Sequence, residues 1–165
     1  MGVPETSPPR YTTALVALGS NLGDRRTHIT SALVALASLP LTRFVARSTI
    51  FETEPVGAPN QPRYYNAAAR IETRLSARAL LDALLEIERS LGRDRAGAER
   101  WGPRIIDLDL LFYGDQRIDE PGLSVPHPHL HERGFVLQPL SEIAPEFRHP
   151  ASGRTVAELL EALGV

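Results

Sequence analysis

Residues 104–114 read RIIDLDLLFYG, a run in which apolar and acidic positions alternate before the chain becomes wholly apolar. That pattern predicts a β-strand with carboxylates on one face. Residues two apart in a strand share a face, which pairs Asp107 with Asp109 and sets Ile106, Leu108, Leu110 and Phe112 on the other side. Two like charges on neighbouring same-face positions repel, and a fold accepts them where the face is wet or a cation lies between them.

Upstream of this strand, Ser76 is placed to cap a helix in which Leu80, Leu81, Leu84, Leu85, Ile87 and Leu91 form an apolar stripe, with Gly92 as its stop. Earlier still, Tyr11 to Leu18 reads as a strand ending at Gly19-Ser20-Asn21. A helix from Arg25 to Leu39 follows, with Ile29, Ala32, Leu33, Leu36 and Ala37 at helical spacing and Pro40 closing it. Phe44 to Thr53 and Tyr65 to Thr73 are two further strands, separated by the proline-rich EPVGAPNQP. Downstream, a Pro/His-rich segment leads to a C-terminal helix starting at Thr155, where Thr155 and Glu158 fit a capping box. The order β-α-β-β-α-β plus a helical tail predicts an α/β (α+β) fold of ferredoxin-like type: an antiparallel sheet with its two helices on one face and an additional C-terminal helix. Residues 1–10 are expected to be a disordered extension, and 11–165 a single domain.

Composition narrows the chemistry. The chain has 165 residues, 42% of them hydrophobic, enough for one compact core. Eighteen basic against twenty acidic residues give a net charge of −2, which argues against nucleic acid or an anionic membrane as partner. Every basic residue is arginine, so Schiff-base lysines and the lysine of a P-loop are excluded, and the absence of cysteine excludes thiol catalysis and disulfides. With no apolar run near the length of a membrane span and a polar, proline-rich opening MGVPETSPPR, a cytoplasmic protein is expected.

Three constellations can carry chemistry. Asp107 and Asp109 suit Mg²⁺, which takes oxygen ligands and commonly one or two carboxylates with phosphates and water; the bland reading is a solvated sheet face. Beside them, GRDRAGAERWGPR brings Arg93, Arg95, Arg100 and Arg104, whose guanidinium forks suit phosphate oxygens, against a bland reading of salt bridges to Asp94, Glu99 and the strand aspartates. In VPHPHLHERGF, His127, His129 and His131 alternate, but the interleaved Pro126 and Pro128 favour a surface loop over a zinc site. His28, His129, His131 and His149 read as structural or exposed.

The stretch RWGPRIIDLDLL resembles the signature of the 6-hydroxymethyl-7,8-dihydropterin pyrophosphokinase family of folate biosynthesis, and ALGSNLGD, FETEPVG, QPRYYNAA and VPHPHLHERGFVLQPLSEIAP resemble further family blocks in the same order. The resemblance covers all but the first ten residues. It implies transfer of pyrophosphate from ATP to the hydroxymethyl oxygen of the dihydropterin, leaving AMP. It implies Asp107 and Asp109 as ligands of two Mg²⁺ ions, and Arg93 and Arg104 with them as the catalytic group. For ATP it implies Arg93, Arg95, Arg100, Trp101, Arg104, His127 and Arg133. For the pterin it implies Asn66 at the pyrimidinone edge, Phe135 on a ring face, Tyr64 beside it, Thr53, Val56 and Gly57 from the loop, and Asp107 near the hydroxymethyl group. Some relatives carry a lysine in the arginine loop; here Arg95 or Arg100 takes that place. This loop and ETEPVGAPNQPR are expected to close as lids over both substrates.

The expected partners are therefore the small molecules ATP and 6-hydroxymethyl-7,8-dihydropterin, with no nucleic acid, no membrane and a monomeric protein. Two readings stand against this one: a catalytically inactive pterin-binding protein and a ferredoxin-like regulatory module. Neither accounts for paired aspartates and phosphate-type arginines together.

Overall fold

The computed structural model describes residues 10–53, 62–92 and 105–164. Val56 and Gly57, and Arg93, Arg95, Arg100, Trp101 and Arg104, lie outside the described residues, as do most of both proposed lids and the extension up to residue 9. The chain runs through β1 (Thr12–Ser20), α1 (Arg25–Ala37), β2 (Thr42–Arg47), β3 (Phe51–Thr53), β4 (Tyr64–Thr73), α2 (Ala77–Ser90) and β5 (Asp107–Tyr113). After these come β6 (Ile118–Glu120), β7 (Leu123–Val125), a 3₁₀ turn (Leu130–Glu132), α3 (Gly134–Ile143) and α4 (Val156–Ala162).

The main sheet has the order β2-β4-β1-β5, with β3 also on β4, and every pairing is antiparallel. This is the ferredoxin-like arrangement predicted. Both helices of the repeat have their expected starts: the Asp24 carboxylate accepts from the Thr27 amide at 3.2 Å, and the Ser76 hydroxyl from the Ala79 amide at 3.1 Å. Each cap satisfies an amide that the first helical turn leaves without a partner. In α4, Thr155 and Glu158 form the full capping box.

The sheet is covered on both sides. Ile29, Ala32, Leu33 and Leu36 of α1 and Leu80, Leu84 and Ile87 of α2 pack with Val16, Leu18, Ala69, Leu108 and Leu110. On the opposite face, Leu15, Ala68, Leu111 and Phe112 pack with Val136, Leu137 and Leu140 of α3 and with Val156 and Leu159 of α4. Two covered faces explain why β1 is apolar almost throughout.

Four features depart from the sequence reading. The helix α3 replaces what reads as the end of an irregular Pro/His-rich segment; Pro139 lies inside it and is buried, so tertiary burial holds a helix that local propensity disfavours. The strand expected over Phe44–Thr53 is two strands, broken at Ser48, whose hydroxyl accepts from the Ala68 amide at 2.8 Å and whose own amide donates to the Ala68 carbonyl at 2.9 Å. Phe112 does not share the face of Leu108 and Leu110. The β1–β5 register shifts between Leu15 and Val16, which pair with Phe112 and Leu110, and the extra residue Leu111 turns Phe112 into the second core against Phe147 at a ring separation of 4.9 Å. The hairpin of β6 and β7, turned at Pro121-Gly122 with Gly122 at φ 76°, is likewise absent from the sequence reading.

Candidate active site

Strand register gathers the candidate residues. Asp107 of β5 lies opposite Gly19 of β1, Gly19 opposite Asn66 of β4, and Asn66 opposite Phe51 of β3, forming one row across the sheet. The next rows are Asp109–Ala17–Ala68 on one side and the Thr53–Tyr64 pair on the other. Residues in register project from the same face, here the face that carries α3 and α4. Asp107 and Asp109 are both half-buried on it. The alternation read from RIIDLDLL thus holds through the aspartates and fails only beyond Leu110.

Two strands along the row from Asp107, Asn66 is buried and its side-chain nitrogen donates to the Thr53 hydroxyl at 2.5 Å. Thr53 thereby fixes which way the amide points, leaving Asn66 Oδ1 over Gly19. A Cβ built on Gly19 would lie 3.2 Å from that oxygen and 3.6 Å from Cδ1 of Tyr64. The glycine leaves a bare strip of backbone between Asn66 and Asp107, in a strand conformation that needs no glycine for its own sake.

The third side of the site comes from the chain between β7 and α3. The His127 amide donates to the Leu111 carbonyl at 2.9 Å, which ties this segment to β5. Burial is the main cause that pushes the His127 pKa down to about 4, with the Arg133 and His129 charges acting in the same direction and Asp107 against them. His127 is therefore a neutral imidazole near pH 7. Its Nδ1 accepts from the His129 amide at 3.3 Å, so the proton of the neutral ring sits on Nε2. Arg133 precedes α3, with its guanidinium carbon 5.8 Å from the centre of the Phe135 ring, and Phe135 is half-buried against the second core.

Asp107, Asp109, His127, Arg133, Phe135, Asn66, Thr53 and Tyr64 are thus contributed by one face of the sheet and the segment leading into α3. His129 instead pairs with Glu132 at 3.1 Å on the surface, and His149 packs edge-on against Phe112, in keeping with structural roles for both. Two residues escape the sequence reading. Gly19 stands in a turn-like Gly-Ser-Asn cluster that hides its place in a strand, and Glu88 is a helix carboxyl that the apolar stripe leaves unassigned.

Among the described residues no group of three or more His, Asp or Glu is gathered to enclose a metal. A pair of half-buried carboxylates on one face is what Mg²⁺ uses when phosphates and water complete its octahedron, so the donor set fits that ion.

Comparisons with known proteins bear on the family and the fold. The chain is 49% identical over 147 residues to a 2-amino-4-hydroxy-6-hydroxymethyldihydropteridine pyrophosphokinase of Pseudomonas aeruginosa, covering 89% of each chain. It is 43% identical over 152 residues to the protein of that name from Methylorubrum extorquens, covering 92% of this chain and 94% of that one. Among solved structures, the Plasmodium falciparum HPPK-DHPS wild type with pterin and p-hydroxybenzoate superimposes with a TM-score of 0.71 at 16% identity, over 94% of this chain and 44% of that chain. The present chain spans less than half of that larger protein, and the likeness concerns the fold. Residues 15–145 match the family model described as 7,8-dihydro-6-hydroxymethylpterin-pyrophosphokinase (HPPK), and the chain belongs to that family.

Proposed function

We propose that this protein transfers pyrophosphate from ATP to 6-hydroxymethyl-7,8-dihydropterin, giving AMP and the pterin diphosphate in folate biosynthesis, with the row Asp107–Gly19–Asn66 as the floor on which the two substrates meet. Family membership carries the reaction class, ATP-dependent diphosphotransfer. The observation that carries the assignment of the site is that single row, which sets a carboxylate and an amide at its two ends on one face.

In this reading Asp107 and Asp109 hold two Mg²⁺ ions, which when bound neutralise the triphosphate and make the substrate hydroxyl easier to deprotonate. Arg133 faces the phosphates as a fixed positive charge, and His127 donates a hydrogen bond to them from Nε2. Asn66, oriented by Thr53, reads the pyrimidinone edge of the pterin, while Phe135 and Tyr64 flank the ring and each stack contributes about 0.5–1.5 kcal/mol beyond buried area. The sequence assigns Arg93, Arg95, Arg100, Trp101 and Arg104 to ATP and Val56 and Gly57 to the pterin; those roles rest on the family resemblance. Two Mg²⁺ ions and a monomeric, cytoplasmic protein belong to the same proposal.

Incubation with ATP, Mg²⁺ and 6-hydroxymethyl-7,8-dihydropterin tests it directly. AMP and the pterin diphosphate are expected in equal amounts; release of ADP, or no turnover, removes the reading.

A further inference from the structure

Glu88, in the last turn of α2, is 2% exposed, and it is the one carboxyl side chain that is buried among the described residues. A buried carboxyl group is costly unless hydrogen bonds compensate it. Here its Oε2 accepts from the backbone amide of Leu108 at 2.7 Å, and Leu108 is the residue between Asp107 and Asp109. Among the described residues, β5 is in its first half the edge of the main sheet, with β1 as its only strand neighbour there. An outward amide on an edge strand has no ladder partner of its own. Water or a surface side chain would satisfy that amide equally well for folding alone. The chain instead reaches in from a helix with a side chain it has to bury.

The consequence falls on the aspartates. The amide that Glu88 holds belongs to the peptide joining Asp107 to Leu108, and the orientation of that peptide sets the directions in which the side chains on either side leave the strand. Glu88 also lies four residues before Gly92, where a Cβ would come within 3.5 Å of Ile105, so α2 and β5 are already side by side just ahead of the aspartate pair. Helix and strand are therefore joined by the apolar core that Leu84 and Ile87 share with Leu108 and Leu110 and by a directional hydrogen bond at Glu88–Leu108.

We propose that Glu88 is a positioning residue for the metal-binding pair: by holding the Leu108 amide it fixes the backbone from which Asp107 and Asp109 reach their cations. The inference rests on the reading of these aspartates as Mg²⁺ ligands. Groups that orient metal ligands from behind commonly change metal affinity by about 10–100-fold when removed.

The test compares Glu88→Ala, Glu88→Gln and Asp107→Ala with the unaltered protein. Three quantities are read: exchange of the Leu108 amide by NMR, Mn²⁺ affinity by electron paramagnetic resonance with a non-hydrolysable ATP analogue present, and the Mg²⁺ concentration for half-maximal rate. Glu88→Ala is expected to speed Leu108 exchange, weaken Mn²⁺ binding about 10-fold and raise the Mg²⁺ requirement in parallel, with the pterin KM held within twofold. Glu88→Gln keeps a carbonyl acceptor and is expected to restore most of the Mn²⁺ affinity. Faster Leu108 exchange in Glu88→Ala with unchanged Mn²⁺ affinity overturns the proposal, and so does Glu88→Gln behaving like Glu88→Ala. If Asp107→Ala itself leaves Mn²⁺ binding intact, the aspartate reading fails; if only Asp107→Ala weakens it, the role of Glu88 alone fails. Should Glu88→Ala not fold, Glu88→Asp, one methylene shorter, carries the same comparison.

Discussion

Asn66 Oδ1 lies so close over Gly19 that a Cβ on the glycine would sit 3.2 Å from it, with the Tyr64 ring 3.6 Å away on the same side. Gly19 is thus kept free of a side chain by its neighbours. Overpacking of this kind costs about 1–3 kcal/mol. Gly19→Ala is expected to raise the pterin KM about fivefold or more while leaving the ATP KM within twofold. Calorimetric titration with pterin in the presence of an ATP analogue checks it, and equal losses for both substrates would show that the glycine serves only the sheet.

Asp107→Ala and Asp109→Ala should each lower kcat by at least about 100-fold, the scale expected when a group that stabilises transferred charge is removed. Circular dichroism and pterin affinity are expected to stay close to those of the unaltered protein. A double variant that still produced AMP would remove both residues from catalysis.

Burial pushes the pKa of His127 in the folded protein down to about 4 from its ordinary value of 6.5. Between those values the unfolded chain binds more protons, so the stability this histidine contributes is complete above about 6.5 and is lost as pH falls toward 4. Its Cε1 proton, followed by NMR, should show no titration around pH 6.5 in the free protein. Addition of Mg·ATP should move the midpoint upward, because a nearby triphosphate favours the charged ring.

Phe112 is fully buried between Phe147 and His149, and Phe112→Ala is expected to cost about 3–5 kcal/mol in urea unfolding. Thr155→Ala, which removes the α4 capping box, should cost about 0.5–2 kcal/mol. A Phe112→Ala loss below that of Thr155→Ala would mean that the second core tolerates a cavity at the bulge.

Much of the fold was legible because the signals were local. Ser76 and Thr155 cap the helices where the sequence puts them, and the aspartates alternate out of β5 as their spacing requires. The misreadings share a cause: long-range packing overrode a local rule. Pro139 and Gly134 disguise α3, which exists because Val136, Leu137 and Leu140 have a sheet face to cover. The side of Phe112 depends on one unpaired residue in the partner register, which no reading of β5 by itself can supply. In the proposed site, the candidate residues come from motif resemblance, whereas Gly19 and Glu88, whose proposed parts lie in what they leave empty and what they hold from behind, carry no such signal.

The row from Asp107 through Gly19 to Asn66 also works as a ruler. Adjacent strands stand about 4.8 Å apart, so the carboxylate and the amide are rooted two steps, or about 10 Å, from each other. That interval is set by backbone hydrogen bonds and cannot stretch to suit a ligand. A fused bicycle with a one-carbon alcohol arm can engage Asn66 at one end and present its oxygen at Asp107 at the other. In the proposed binding mode a single-ring analogue anchored at Asn66 would fall short and a longer arm would overshoot, so the sheet itself would discriminate by molecular length.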